Sequence, residues 1–332
     1  MIVHLSQKHD PYYHLALMEY LLKHTSDDVL LVFENVNAII VGRHQNTYAE
    51  VNSDFIKKHQ TRVVRRLAGG GAVYQDTGNI SYVFITQNHF NDFSYFVNPL
   101  LNLLKAYGIH ATFSGRNDIL VDGLKIGGNA QSKYKNRTLH GGTILFDADL
   151  SKIEAALLVN PLKLASKGVK SVRSRITNIK PYLDSGISKE MFKARFIDTV
   201  IQSLQVKKEP LVLTNEAQQT IDHLIQTRYK TNQWNYGESP RYNIKKSKRF
   251  PFGQVDIYLT VKKATIKGIH IYTDALMPID FKTLEAALTN TAFNKVTCAN
   301  VLTNFYTEHP NYPIDKTMLL TILFDHEERY YV

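Results

Sequence analysis

The sequence predicts an α+β protein: a large domain built on a mixed sheet with helices packed on it, followed by a smaller α+β domain. Three observations predict this. Helical and strand-like stretches alternate without a regular βαβ period, which argues against a doubly wound sheet. The glycines are not arranged as GxGxxG between a strand and a helix, so the dinucleotide fingerprint is missing. A turn-rich stretch, NQWNYGESPRYNIKKSKRF, separates the body of the chain from a closing hairpin-and-helix pattern and divides it into 1–245 and 246–332.

The elements follow in order. Residues 12 to 24 carry Leu15, Leu17, Met18, Leu21 and Leu22 at helical spacing. DDVLLVFENVNAIIVGR reads as two short apolar strands around a turn, and VNPLLNLLKAYGI (97 to 109) as a helix ended by Gly108. Between the helices lie the strand-like runs RVVRRL, ISYVFIT, NDILVDGLKIGG and GTILFDADL. SKIEAALL opens with a capping box formed by Ser151 and Glu154. Two more helices are expected at 188 to 204 and 214 to 229. In the small domain QVDIYLTVKKATIKGIHIY alternates as a hairpin and DFKTLEAALTN is an amphipathic helix.

Composition bounds the function. The 332 residues, 44% of them hydrophobic, suffice for one large core and a smaller one. No apolar run is long enough to span a bilayer. His9, Asp10 and Glu19 interrupt the N-terminal stretch where a signal peptide would need to be apolar, so the expected location is the cytoplasm. The single cysteine, Cys298, excludes an internal disulfide and a cysteine-rich zinc site. A formal charge of +10 fits an anionic partner or substrate. The basic clusters KLASKGVKSVRSR and RYNIKKSKRF carry no nucleic-acid-binding motif, and a solvated basic face accounts for them equally.

Three stretches carry chemistry. In RRLAGGGAVYQDTGN, three successive glycines let the backbone turn or let a ligand approach. Their exposed N–H groups with Arg65 and Arg66 would make an anion site; the plainer reading is a glycine-rich turn with arginines facing solvent. In SGRNDILVDGLKIGGNAQ, Lys125 sits among Gly123, Gly127 and Gly128, where its ammonium could face a phosphate or a reacting carboxyl group. Asp118 could hold a hard cation. Equally, Lys125 could be an exposed strand lysine and Asp118 a turn former. In RTLHGGTILFDADL, His140 is a candidate of either catalytic or structural kind.

Together with GRHQNTYAEVN, SKGVKSVRSRITNI and WNYGESPRYN, these segments resemble, in register over nearly the whole chain, the lipoate-protein ligases, which share their catalytic domain fold with biotin ligases. The small domain resembles that of the two-domain bacterial form, the lipoate-protein ligase A family. The resemblance implies a two-step reaction. Lipoate and ATP give lipoyl-adenylate and pyrophosphate, and the acyl group passes to a lysine of a carrier: lipoyl domains of 2-oxo-acid dehydrogenase acyltransferase subunits, or the glycine-cleavage carrier protein. It implies that Arg66, Gly71, Ala72, Val73 and Tyr74 contact ATP, and that Asn117 and Asp118 lie beside the nucleotide and its Mg2+, with Asp118 the metal ligand. Lys125 is the implied catalytic residue, touching both ATP and lipoate, and Arg66, Gly69, Gly70 and His140 would also border lipoate. The segment from Lys167 to Arg175, with Gly168, Ser171 and Arg173, resembles the family's mobile loop over the adenylate. A monomer that binds neither nucleic acid nor membrane is expected.

Departures from the family's pattern occur at Gln75 and Gly141, where histidines are common, and in IKGIHIYTDAL. They bear on acyl preference and on docking of the small domain. An octanoyl or lipoyl transferase with the same fold would need a cysteine nucleophile in the site, which Cys298 does not supply. Biotin ligase is disfavoured by RRLAGGGAVY, and a non-catalytic lipoyl or nucleotide sensor by the intact Lys125 and Asp118.

Overall fold

The computed structural model describes residues 1–114, 117–158, 175–237 and 244–324, with the backbone of 329–330. Its main feature is an eight-stranded sheet. In chain order the strands are β1 (Ile2–Leu5), β2 (Val29–Phe33), β6 (Asn79–Gln87), β7 (Ala111–Phe113), β8 (Asp118–Val121), β9 (Leu124–Tyr134), β10 (Arg137–Leu145) and the short β11 (Glu209–Pro210). They lie in the order β11-β1-β2-β6-β10-β9-β8-β7, with β1 parallel to both its neighbours and every other pair antiparallel. The mixed sheet is therefore the predicted one.

Every side chain of β2 is buried, which is why VLLVF shows no alternation in sequence. Leu30 and Val32 face one core, with Phe84, Phe96, Leu100, Phe192 and Phe196, under helices Phe93–Ala106 and Lys189–Leu204. Val29, Leu31 and Phe33 face the other, with Leu17, Leu21, Ile85 and Ile221, under helices Pro11–His24 and Asn215–Leu224. Each fully buried Phe or Leu contributes about 1.5–3 kcal/mol of burial free energy.

A separate three-stranded sheet holds β3 (Ala38–Val41) between β4 (Arg62–Arg65) and β5 (Val73–Gln75), packed by helices Ser53–His59 and Leu150–Ala156. The helix expected at 97 to 109 begins at Phe93, because Asp92 caps it by accepting from the Tyr95 N–H at 3.1 Å. The helix after β10 is capped by Asp149, which accepts from Ser151 and Lys152, and not by Ser151.

The chain divides into two compact units, one of residues 1–43 and 47–237, the other of 44–46 and 238–332. In the second unit β12 (Ile244–Phe250), β13 (Gly253–Lys262) and β14 (Thr265–Thr273) run antiparallel, joined by residues 329–330, under helices Phe281–Leu288, Lys295–Glu308 and Lys316–Phe324. The last two helices have no counterpart in the sequence reading. Cys298 is fully buried in this unit's core.

Candidate active site

The glycine turn follows β4. Alternation along the strand sends Arg65 and Arg66 to different surroundings. Arg65 is buried and spends all five N–H groups on protein acceptors: Nε on the Trp234 carbonyl at 3.0 Å, Nη1 on those of Gly42 at 2.9 Å and Arg43 at 3.2 Å. Its Nη2 donates to Thr47 Oγ1 at 2.7 Å and to the Asn235 carbonyl at 3.2 Å. The expected partnership of Arg65 with Arg66 in an anion site is thus corrected, since Arg65 fastens the segment around Trp234 to β4. Arg66 is half-buried and folds onto the turn itself, donating to the carbonyls of Gly69 at 2.6 Å, Gly71 at 2.8 Å and Ile40 at 3.1 Å. With those carbonyls turned toward Arg66, the turn is a fixed shape rather than a slack loop. Burial and the neighbouring Arg65 charge push Arg66 down to about 10, so it stays a cation at neutral pH.

Gly70 holds φ +92°, a conformation other residues rarely adopt. A Cβ at Gly71 would meet nothing within 4 Å, which leaves its backbone approachable. Ala72 and Val73 are half-buried beside it. The Tyr74 ring points into the core against Phe55, with its hydroxyl donating to Asn37 at 3.3 Å and raised by burial to about 12, so only its backbone remains available to a ligand. Gln75 ties the two sheets of this unit together. Its amide donates to Ser81 Oγ at 3.2 Å and Thr143 Oγ1 at 3.1 Å, and accepts from Asn35 at 2.7 Å. Asn35 in turn bonds His14 at 2.7 Å.

On the large sheet, Asp118 opens β8 opposite Gly128 on β9, while Lys125 pairs with Leu120 across a register shift. Lys125 Nζ lies 2.8 Å from Asp118 Oδ1, and Arg175 engages the other oxygen. Asp118 is buried, and the two cations are partly exposed. A carboxylate gripped by two cations fixes both of them as well as itself. The backbone adds a further tie, with the Thr177 N–H donating to the Lys125 carbonyl at 2.9 Å.

Asn117 faces Asn129 across the ladder, each side-chain amide donating to the other's carbonyl at 3.2 Å. Asn129 Oδ1 accepts from Tyr82 at 2.6 Å and from His140 Nε2 at 3.0 Å. Gln131 Nε2 donates to His140 Nδ1 at 3.1 Å while its oxygen accepts from the Asn91 N–H at 2.8 Å. Both amides are therefore oriented, which leaves His140 neutral with its proton on Nε2. Burial among Phe96, Phe93 and Tyr82 drives it down to about 3.

The structure thus brings together Asn117, Asp118 and Lys125, and separately Arg66 with Gly69, Gly70 and Gly71. His140 is fully buried and both its ring nitrogens are occupied within the protein. It joins the lysine group through Asn129 rather than through an exposed face. Lys167, Gly168, Ser171 and Arg173 lie outside the described residues. Sequence reasoning missed Tyr82, Asn129 and Gln131, whose only signal was polarity inside apolar strand runs. Among the described residues no three His, Cys, Asp or Glu side chains gather as a metal cluster. The carboxylate of Asp118 already has its two oxygens engaged by Lys125 and Arg175, so a magnesium ion arriving on phosphates would have to share that carboxylate with them and keep most of its waters.

Residues 10–201 match the family model described as the lipoyl protein ligase A/B catalytic domain, and residues 239–323 that of the bacterial lipoate protein ligase C-terminus. Lipoate-protein ligase LplJ of Bacillus subtilis is 37% identical over 321 residues, 95% of this chain and 97% of that protein. Lipoate-protein ligase 1 of Staphylococcus aureus is 41% identical over 284 residues, 84% of this chain and 86% of its own. Among solved structures, P. falciparum LipL1 in complex with lipoate superimposes with a TM-score of 0.76 at 23% identity, covering 96% of this chain and 98% of that one. A lipoate-protein ligase A bound with ATP gives 0.62 at 22% identity, covering 71% and 99%. At those identities the structures speak to the fold.

Proposed function

The chain belongs to the lipoate-protein ligase A family, and from that premise we propose how its residues carry out ligation. It is a lipoate-protein ligase that uses ATP. In the first step a carboxylate oxygen of lipoate attacks the α-phosphorus of ATP, the bond to the β-phosphate oxygen breaks, and pyrophosphate leaves. In the second the neutral amine of a carrier lysine attacks the acyl carbonyl, loses a proton and expels AMP, leaving an amide.

Both steps crowd negative charge into one place, so the protein must supply fixed cations and N–H donors rather than a nucleophile. Lys125 is the residue assigned to the reacting oxygens, and its pairing with a buried Asp118 is the single observation that carries the assignment. An ammonium held by a buried carboxylate is set in place before substrate arrives. Arg66 supports this from the other sheet by fixing the carbonyls of Gly69 and Gly71, which leaves the N–H side of the turn for phosphate or carboxylate. Gly71, Ala72, Val73 and the Tyr74 backbone would line the nucleotide, and Asn117 would hold its edge beside Asp118. When bound, magnesium would offset phosphate charge, with Asp118 as its protein ligand. His140 supports this arrangement from within the core.

The transferase alternative needs a thiol that can attack. Cys298 is buried, and burial pushes its thiol up. The lipoyl domains of 2-oxo-acid dehydrogenase subunits and the glycine-cleavage carrier protein are the proposed acceptors, and the cytoplasm is the proposed compartment. Among the described residues no helix is long and apolar enough to cross a membrane.

Lipoate-dependent exchange of labelled pyrophosphate into ATP tests the reading. The wild type should exchange without a carrier, and Lys125→Ala should lose about 100-fold or more. Exchange that survives in the variant would remove Lys125 from the chemistry.

A further inference from the structure

Lys125 and Gly128 are three residues apart on one strand, and in a regular strand such residues point to opposite faces. Here they share a face. The ladder pairs Leu120 with Lys125 but Ile119 with Gly127, so Ile126 is an extra residue with no partner opposite. Such a bulge re-aims the side chains that flank it. The Lys125 chain is thereby turned back along its own strand toward Asp118, which stands directly across from Gly128. To reach the carboxylate it passes over the 128 position. A Cβ built on Gly128 would lie 2.8 Å from Nζ, closer than such atoms can stand, and a tight 3.0 Å from Cε.

We propose that Gly128 is a positioning residue for Lys125, its bare backbone forming the seat that lets the re-aimed lysine reach Asp118. The inference rests on the reading of Lys125 as the residue at the reacting oxygens. It assigns three parts to one device: the extra residue Ile126 turns the lysine, Gly128 leaves it room, and Asp118 ends its reach. Gly127, next door, has a different reason to be glycine, since a Cβ there would fall 2.6 Å from the Thr143 carbonyl oxygen, a backbone atom that cannot move aside. The clash at 128 is with the tip of a flexible side chain, so an added methyl displaces Lys125 and leaves the sheet standing.

The test is Gly128→Ala in the full chain, with Lys125→Ala, the double variant, and Gly186→Ala as a comparison at an exposed glycine whose Cβ meets nothing within 4 Å. Two readouts are taken: pyrophosphate exchange, and the rate at which Lys125 is reductively methylated in the absence of substrates, read by peptide mass spectrometry. Gly128→Ala should melt near the wild type, have its Lys125 labelled several-fold faster, and lose about 10- to 100-fold in exchange, the scale of an ångström-sized misplacement. Gly186→Ala should change neither readout. In the Lys125→Ala background the added methyl should cost less than about 2-fold, because it acts through the missing side chain.

Unchanged labelling overturns the proposal, as does a loss that persists in full in the double variant. If Gly128→Ala melts early, removing the lysine should restore its stability, and failure to restore it overturns the proposal equally. Absence of exchange in the wild type would instead strike the functional reading, while labelling still decides the seat.

Discussion

Arg65 donates to five acceptors within the large unit, four of them backbone carbonyls, and receives the Trp234 indole N–H on its own carbonyl at 2.9 Å. Arg65→Ala strands those acceptors in a buried setting. The expected loss is about 2–5 kcal/mol of unfolding free energy, read by urea denaturation. Arg65→Lys should recover little of it, since a single ammonium cannot reach acceptors spread around a planar fork. The sequence showed two adjacent arginines and no means of separating them; strand parity does so only once the strand is placed. The histidine was likewise visible as a lone ring. Its partners Tyr82, Asn129 and Gln131 lie far away or on a neighbouring strand, and no local pattern announces a hydrogen bond between them. What the sequence did reveal was chemical type: a lysine among glycines with an acid seven residues before it, which the sheet converts into an ion pair.

Strands buried on both faces were legible as continuous apolar runs, and long helices by their spacing. Boundaries were less so, because a single side chain decides them: Asp92 starts one helix four residues earlier than the apolar pattern suggests, despite Pro99 within it. The helices at 295–308 and 316–324 escaped notice because polar residues such as Thr297, Asn300 and Thr303 interrupt the first and an almost wholly apolar stretch forms the second. The bulge at Ile126 has no sequence signature beyond the glycines after it. One contact between elements has a pH consequence. Glu285, on helix Phe281–Leu288, accepts from the Ile271 N–H of edge strand β14 at 2.7 Å, and burial raises its carboxyl to about 7. A carboxyl held above its unfolded value keeps its proton in the native state, so its ionisation penalty is absent below about pH 4.5, grows as pH rises toward 7, and is complete beyond. Glu285→Gln keeps the acceptor and removes the charge. Its melting temperature should match the wild type at pH 4.5 and exceed it by a few degrees at pH 8, the gain being limited by the group's partial exposure. Equal melting temperatures at both pH values would show that solvent already relieves the charge.

Across the whole molecule the formal charge is +10. A field of that sign would draw in a carrier domain of acidic surface before any contact forms, and salt would weaken it. Transfer from preformed lipoyl-adenylate to the carrier should therefore slow about 10-fold between low salt and 0.5 M, whereas carrier-independent exchange should change by less than about 2-fold. A transfer rate indifferent to salt would confine the charge to solubility. Cys298 has a further consequence. It is the chain's single sulfhydryl, fully buried among Leu284, Leu302 and Phe305, and its acidity is suppressed by that burial. A maleimide dye or nitroxide reagent added to the folded protein would find almost no thiolate to react with. The natural chain is in effect a ready-made background for spectroscopy, in which one cysteine introduced at any exposed position becomes the sole attachment point without first engineering the native one away.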